Sequence, residues 1–182
     1  MNLSISIPKT WIEWGKVHFS EFFTERNVII LASILAIAAT TYSYLHGYVA
    51  AYGDAESHLN IAKRVVDSLT PGFAQLGGIW LPLPHLLLLP FVKIDFLWRS
   101  GLAGSIVSGA AFIISSLYLY KLVKLITKSA PASFVAALVF MLNPNILYLQ
   151  STPMTELTLI AFSVLSIYFF VRFLYDDREI TA

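Results

Sequence analysis

The sequence predicts an all-α integral membrane protein that crosses the bilayer about four times. Of its 182 residues, 57% are hydrophobic and only 13% are charged, and the mean hydropathy is +0.72. Soluble domains have about 45–50% apolar and about 25% charged residues, so lipid must cover part of this apolar surface. The net charge of +1 gives no basis for nucleic-acid binding. Because the chain has no cysteine, disulfides, thiolate metal sites and cysteine nucleophiles are excluded.

Four apolar segments are long enough to span the bilayer. They cover residues 28–48, 100–120, 131–149 and 157–175. The first has no charge and ends in tyrosines, which suit the membrane interface. The second carries small residues every four positions, including Gly104 and Ser108, and this spacing predicts close helix contact. The third is expected to bend at Asn143-Pro144-Asn145.

The stretch between the first two spans, residues 49–99, contains two further helical segments. Residues 54–69 have apolar positions at helical spacing and charges on the other faces, which is typical of an amphipathic helix at the interface. Residues 80–97 are apolar but contain three prolines and a histidine, and the run is too short to span. We therefore expect two juxtamembrane helices in one large loop.

The basic residues predict the orientation of the spans. With the N-terminus inside, eight of the twelve lysines and arginines lie on the cytoplasmic side. Residues 1–27 and 176–182 are then cytoplasmic, and residues 49–99 and 150–156 form outer loops. The aromatic N-terminal stretch is either a membrane anchor, the favoured interpretation, or a surface for a partner. The first residues do not have the pattern of a cleavable signal peptide, so the first span is expected to be retained. A prokaryotic plasma membrane is the expected location.

This topology places two acidic motifs on the outer face. One contains Asp54 and Glu56 after the first span, and the other contains Glu156 before the fourth. Asp54 could simply cap its helix, and Glu156 could favour the positive end of a helix dipole. The alternative is catalytic: one carboxylate acts as a general base, and Asp54, Glu56 and Glu156 together hold a divalent cation.

Several basic side chains lie near these acids in sequence. His58 follows Asp54 by one helical turn, so both can face one side. His58, Lys63, Arg64 and His85 are candidates for binding a lipid-linked phosphate. For His85, a packed interfacial histidine is the favoured alternative.

Three segments carry a resemblance to a known family: GDAESHLNIAKRVVDS, QLGGIWLPLPHLLLLPF and NPNILYLQSTPMTE. Together they resemble the N-terminal part of the GT-C superfamily of membrane glycosyltransferases, of the protein mannosyltransferase and aminoarabinose transferase type (glycosyltransferase family 39-like). The resemblance covers about residues 28–175. It implies that Asp54 is the first-loop catalytic acid and that Glu156 is the second-loop acid near the lipid phosphate and metal. It also implies a polyprenyl-phosphate sugar as donor.

The resemblance is partial in two respects. Trp80 and Leu81 precede Pro82, where aminoarabinose transferases have an acid, and family members usually have eight or more spans. Two hypotheses follow: a glycosyltransferase or its N-terminal half, and a non-catalytic accessory or scaffold subunit bound to other membrane proteins. A transporter is a weaker third hypothesis, because no span carries a central charge.

Overall fold

The computed structural model describes residues 22–76 and 78–180, with side chains described up to residue 175, and the described part contains helices and no strand. Eight α-helices lie wholly within the described residues: α1 (Glu25–Leu45), α2 (Gly53–Val66), α3 (Pro82–Val92), α4 (Asp95–Ser100), α5 (Leu102–Thr127), α6 (Ala130–Met141), α7 (Pro144–Leu149) and α8 (Glu156–Ile180). A short 3-10 helix covers Phe73–Leu76. The predicted cytoplasmic helix around Trp11 and Trp14 lies outside the described residues.

The prediction of an all-α integral membrane protein is confirmed. Among the residues that the structure describes, three helices are long and apolar enough to cross a membrane, namely α1, α5 and residues Glu156–Tyr175 of α8. Their outward faces are apolar as well: Ile34 and Ile37 of α1 and Phe170 of α8 are more than half exposed. Such faces are stable only against lipid or another apolar partner.

Contacts at the two ends of the bundle show how the long helices run. At one end, the Tyr120 hydroxyl of α5 donates to the Phe23 carbonyl just before α1, at 2.7 Å. At the other end, Gly101 before α5 packs against Val49 after α1. Helices α1 and α5 are therefore antiparallel.

Helix α8 runs parallel to α5. Ser108, near the start of α5, contacts the backbone just before α8, and Lys128, just after α5, lies over the Tyr175 ring near the end of α8. The chain must therefore return along the bundle between α5 and α8. Helices α6 and α7 make this return, so the chain passes along the bundle four times.

The predicted third span is broken into two helices. Its 12 residues in α6 and six in α7 supply about 27 Å of helix at 1.5 Å per residue. The break follows from Pro144, which lacks an N–H and disfavours helix at the preceding residue. Asn143 begins the new helix by accepting from the Asn145 and Ile146 N–H groups with its side chain, at 2.9 and 3.4 Å.

The two predicted juxtamembrane helices are present with different boundaries. The first is α2, which ends at Val66, before the predicted end at Leu69. The second was expected over residues 80–97, and it is divided at Lys93 and Ile94 into α3 and α4. Buried Leu59 and Ala62 of α2 belong to one apolar cluster with residues of α3 and α5. This cluster attaches the pair to the end of the bundle where α5 begins.

Candidate functional site

The segment preceding α8 is fastened to α5 by small residues. A Cβ on Gly104 would come within 2.2 Å of the Pro153 Cα, so glycine is required for this approach. The Ser105 hydroxyl donates to the Ser151 carbonyl at 2.7 Å, and that of Ser108 donates to the Thr152 carbonyl at 2.8 Å. The small residues of α5 therefore pack against this loop. The sequence had predicted only that they allow close helix contact.

Gln150 fixes the other side of the same segment. Its buried side-chain amide donates to the Ala36 carbonyl of α1 at 3.2 Å and to the Ser151 hydroxyl at 2.9 Å. The loop is thus held by both α1 and α5. What it positions is Glu156, the first residue of α8, whose side chain is half-buried.

One oxygen of Glu156 is in an unusual position. Glu156 Oε2 is buried and has no hydrogen-bond partner among the described residues. An unpartnered buried carboxylate oxygen is costly unless a donor reaches it. This oxygen is therefore a candidate contact for a substrate hydroxyl or a proton donor.

The start of α2 supplies the second acid. Asp54 lies in the first turn of α2 with an exposed side chain, and no side chain caps this helix, so the capping role considered for Asp54 is not observed. His58, one turn later, is buried. Glu56 is exposed and lies two residues from each of them, so it projects from a different side of α2.

His58 is paired with His85 of α3. Nδ1 of His58 lies 2.9 Å from Nε2 of His85, and both rings are buried. At this distance one nitrogen donates and the other accepts, so a single proton lies in the hydrogen bond between the two rings. Trp80 packs edge-on against His58, with ring centroids 4.8 Å apart.

Burial determines the protonation of this pair. It lowers the pKa of His58, and the carboxylates of Asp54 and Glu156 offset part of that effect. Burial and then the neighbouring His58 ring lower the pKa of His85, and the Leu81 carbonyl acts in the opposite direction. His85 Nδ1 nevertheless has no partner in hydrogen-bond geometry among the described residues. Both rings are therefore neutral near pH 7.

Both candidate acids influence the ring of His58. Asp54 and Glu156 are about 100 residues apart in sequence, yet each acts on His58. His85 joins them from a third element. The carboxylates of Asp54 and Glu156 can accept a proton or orient a hydroxyl, and the buried imidazole pair near them is neutral.

The predicted basic residues are placed differently. The buried Lys63 ammonium donates to Asp95 at 2.8 Å and to the Val92 carbonyl at 3.3 Å, and it pairs with Asp67 at 3.4 Å. The hydrogen bond to Asp95 raises the pKa of Lys63 and lowers that of Asp95. Lys63 thus fastens α4 to α2. Arg64 is exposed in the last turn of α2, and its contact with a lipid phosphate stays a prediction.

The predicted metal ligands do not form a cluster. Among the described residues, no three histidine or acidic side chains are close enough together to hold a metal ion. Asp54, Glu56 and Glu156 therefore do not fit a three-ligand metal site, and no step below involves a metal.

Two features of the site were not identified as functional from the sequence. Trp80 was noted only for standing where an acid was expected, and it packs on His58. The contact of Ser105 and Ser108 with the loop before Glu156 was also missed. The repeated serines in α5 were the only sequence feature that pointed to this contact. Their partners are more than 40 residues away in sequence, so the contact could not be predicted from local pattern.

Comparison with known proteins agrees with this fold. Residues 91–181, half of the chain, match the family model described as dolichyl-phosphate-mannose-protein mannosyltransferase. The match includes Glu156 and begins after Asp54, His58 and His85. No curated protein and no solved structure matches the chain. On the family match, the chain belongs to the dolichyl-phosphate-mannose-protein mannosyltransferase family of membrane glycosyltransferases.

Proposed function

We propose that this chain transfers a sugar from a polyprenyl-phosphate donor to an acceptor hydroxyl on the outer face of a prokaryotic plasma membrane, with the N-terminus in the cytoplasm. The observation that supports this function is the buried, unpartnered Glu156 Oε2 at the start of α8, on a residue that raises the pKa of His58 together with Asp54 of α2. The two acids come from the segments that resemble the catalytic loops of GT-C enzymes. Family membership adds a lipid-linked sugar as the donor class.

The chemistry follows from the exposure of each group. Asp54 is the exposed acid and the proposed base, because a substrate hydroxyl can reach it from solvent. The acceptor oxygen attacks the anomeric carbon, and its proton passes to Asp54. The bond from that carbon to the phosphate oxygen breaks, and the lipid phosphate leaves with the electron pair. No other oxidant or co-reactant is required.

Glu156 is proposed to orient the donor. Its unpartnered Oε2 can accept a hydrogen bond from a sugar hydroxyl, and the fastened loop limits its movement. The His58–His85 pair is neutral and adds no positive charge to the site.

The test uses the full chain in membrane vesicles supplied with a radiolabelled polyprenyl-phosphate sugar, and it measures release of polyprenyl phosphate. We expect Asp54→Asn to reduce release by about 100-fold or more, because general base catalysis contributes about 10²–10⁴-fold. Glu156→Gln should reduce it as well. Asp67→Asn is the matched control, since Asp67 is an exposed acid at the far end of the same helix.

Two results would reject the proposal. Full release by Asp54→Asn would remove Asp54 as the base. Binding of the donor by the parent chain without any release, alone or with co-purified subunits, would instead favour the non-catalytic accessory subunit.

A further inference from the structure

An open surface cavity of about 380 Å³ lies at the end of the bundle opposite the candidate site. Residues of α1, α8 and the last turns of α5 line it, together with Lys128 just after α5. Its lining residues are Glu25, Lys121, Lys124, Leu125, Lys128 and Tyr168. Three lysines face one glutamate, so the lining has an excess of positive charge.

The lysines are held in place by aromatic rings. Lys121 pairs with Glu25 at 3.3 Å. Lys124 lies 5.5 Å from the centre of the Tyr120 ring, and Lys128 lies 5.3 Å from that of Tyr175. Within the part of the chain whose side chains are described, Lys124 and Lys128 make no ion pair. Because a ring face engages only one side of an ammonium, these cations can still donate to an anion.

Lys128 occupies a backbone position that does not favour lysine. It follows the last residue of α5 with φ 55° and ψ 15°, the left-handed conformation in which helices commonly end in glycine. Among the described residues it alone has a positive φ without being glycine. Glycine would adopt this backbone conformation with less strain. The presence of lysine therefore suggests that its side chain has a role.

Large apolar side chains are exposed at the same end of α5 and α8. Ile126, next to lining residue Leu125, is 53% exposed, and Phe169, next to Tyr168, is 52% exposed. Phe173 continues this surface along α8. An anion with hydrocarbon chains could place its charged group among the lysines and its chains along these residues. A free phosphate ion would use only the polar part.

We propose that this cavity, the lysine cavity, binds the phosphate of an anionic phospholipid headgroup. The phosphate accepts from Lys124 and Lys128, and the acyl chains lie along the exposed residues of α5 and α8. Basic side chains at a membrane surface favour anionic lipids. This site is separate from the proposed catalytic acids and does not depend on the transfer reaction.

The experiment titrates the purified full chain, in a neutral detergent, with dioleoyl phosphatidylglycerol or dioleoyl phosphatidylcholine, and counts bound lipids by native mass spectrometry. We expect selective retention of phosphatidylglycerol. The double variant Lys124→Gln, Lys128→Gln should weaken this retention about tenfold or more. Lys93→Gln, which changes an exposed lysine outside the cavity, should leave it unchanged.

Lys128→Gly separates lipid binding from a structural role. Glycine removes the ammonium and relieves the positive φ, so we expect equal or higher thermal stability together with about fivefold weaker phosphatidylglycerol binding. Equal retention of both lipids, or unchanged retention by the double variant, would overturn the proposal. Displacement of phosphatidylglycerol by millimolar inorganic phosphate would also overturn it, by identifying free phosphate as the ligand.

Discussion

His58 Nδ1 and His85 Nε2 lie 2.9 Å apart in a buried contact that links α2 to α3. Two imidazoles can share this bond only while at least one of them is unprotonated. The contact therefore couples the packing of the juxtamembrane helices to pH.

The pair should make folding sensitive to acid. Burial lowers the pKa of both rings below their usual value of about 6.5, so below that pH the unfolded state binds more protons than the folded state. Stability from the neutral pair is complete above about pH 6.5 and is lost as the pH falls below it. Thermal unfolding in detergent at pH 7.5 and 5.5 should therefore show a lower Tm at pH 5.5.

Substitution identifies the source of this pH dependence. His85→Gln can still hydrogen-bond to His58 but does not titrate, so the change in Tm between the two pH values should shrink. His46→Gln, at an exposed histidine, should retain the parental change. An identical change in His85→Gln and the parent chain would disprove the assignment.

The contact between Gly104 and Pro153 predicts a severe effect for a small substitution. In Gly104→Ala the new Cβ would meet backbone at 2.2 Å, and neither segment can move without breaking the loop contacts. We expect a loss of about 3 kcal/mol or more in the free energy of unfolding, measured by denaturant titration in mixed micelles.

Gly53→Ala is the matched control for this substitution. Gly53 is helical, and a Cβ there would meet nothing within 4 Å. Its unfolding free energy should stay within about 0.5 kcal/mol of the parent value or rise. Equal losses in the two variants would show that the loop is not packed as described.

The Ser108 hydroxyl should stabilise the loop measurably. It donates to the Thr152 carbonyl at 2.8 Å and is also 3.2 Å from that of Met154, so Ser108→Ala leaves buried acceptors without this donor. We expect a loss of about 1–2 kcal/mol in unfolding free energy. Ser166→Ala, which removes an exposed hydroxyl bonded within its own helix, should have little effect. Comparable losses would argue against a special role for Ser108.

Lys63 should contribute to stability as the link between α2 and α4. In Lys63→Met the Asp95 carboxylate and the Val92 carbonyl lose their shared donor, although the exposure of Asp95 limits the cost. We expect a loss of about 1 kcal/mol, measured by the same titration. The exposed Lys93 provides the control as Lys93→Met, and a larger loss in that variant would contradict the assignment.

Much of the fold followed from local patterns. The apolar runs predicted α1, α5 and α8 because lipid requires a continuous apolar length, and that requirement is visible in single segments. Pro144 predicted the interruption of the third span for a similarly local reason. The division of the juxtamembrane segment 80–97 at Lys93 and Ile94 was not predicted. It accompanies the contacts of Lys63 with Val92 and Asp95, which no local pattern shows.

The sequence by itself determined the membrane-bound all-α fold and identified Asp54 and Glu156 as candidate acids, because hydropathy and residue type are properties of short segments. Only the tertiary structure paired His58 with His85 and engaged Lys63 with Asp95. It also showed that the small residues of α5 pack against the loop before Glu156. These contacts join residues 27 to 49 positions apart, and their distances depend on how whole helices pack, which a one-dimensional pattern does not contain.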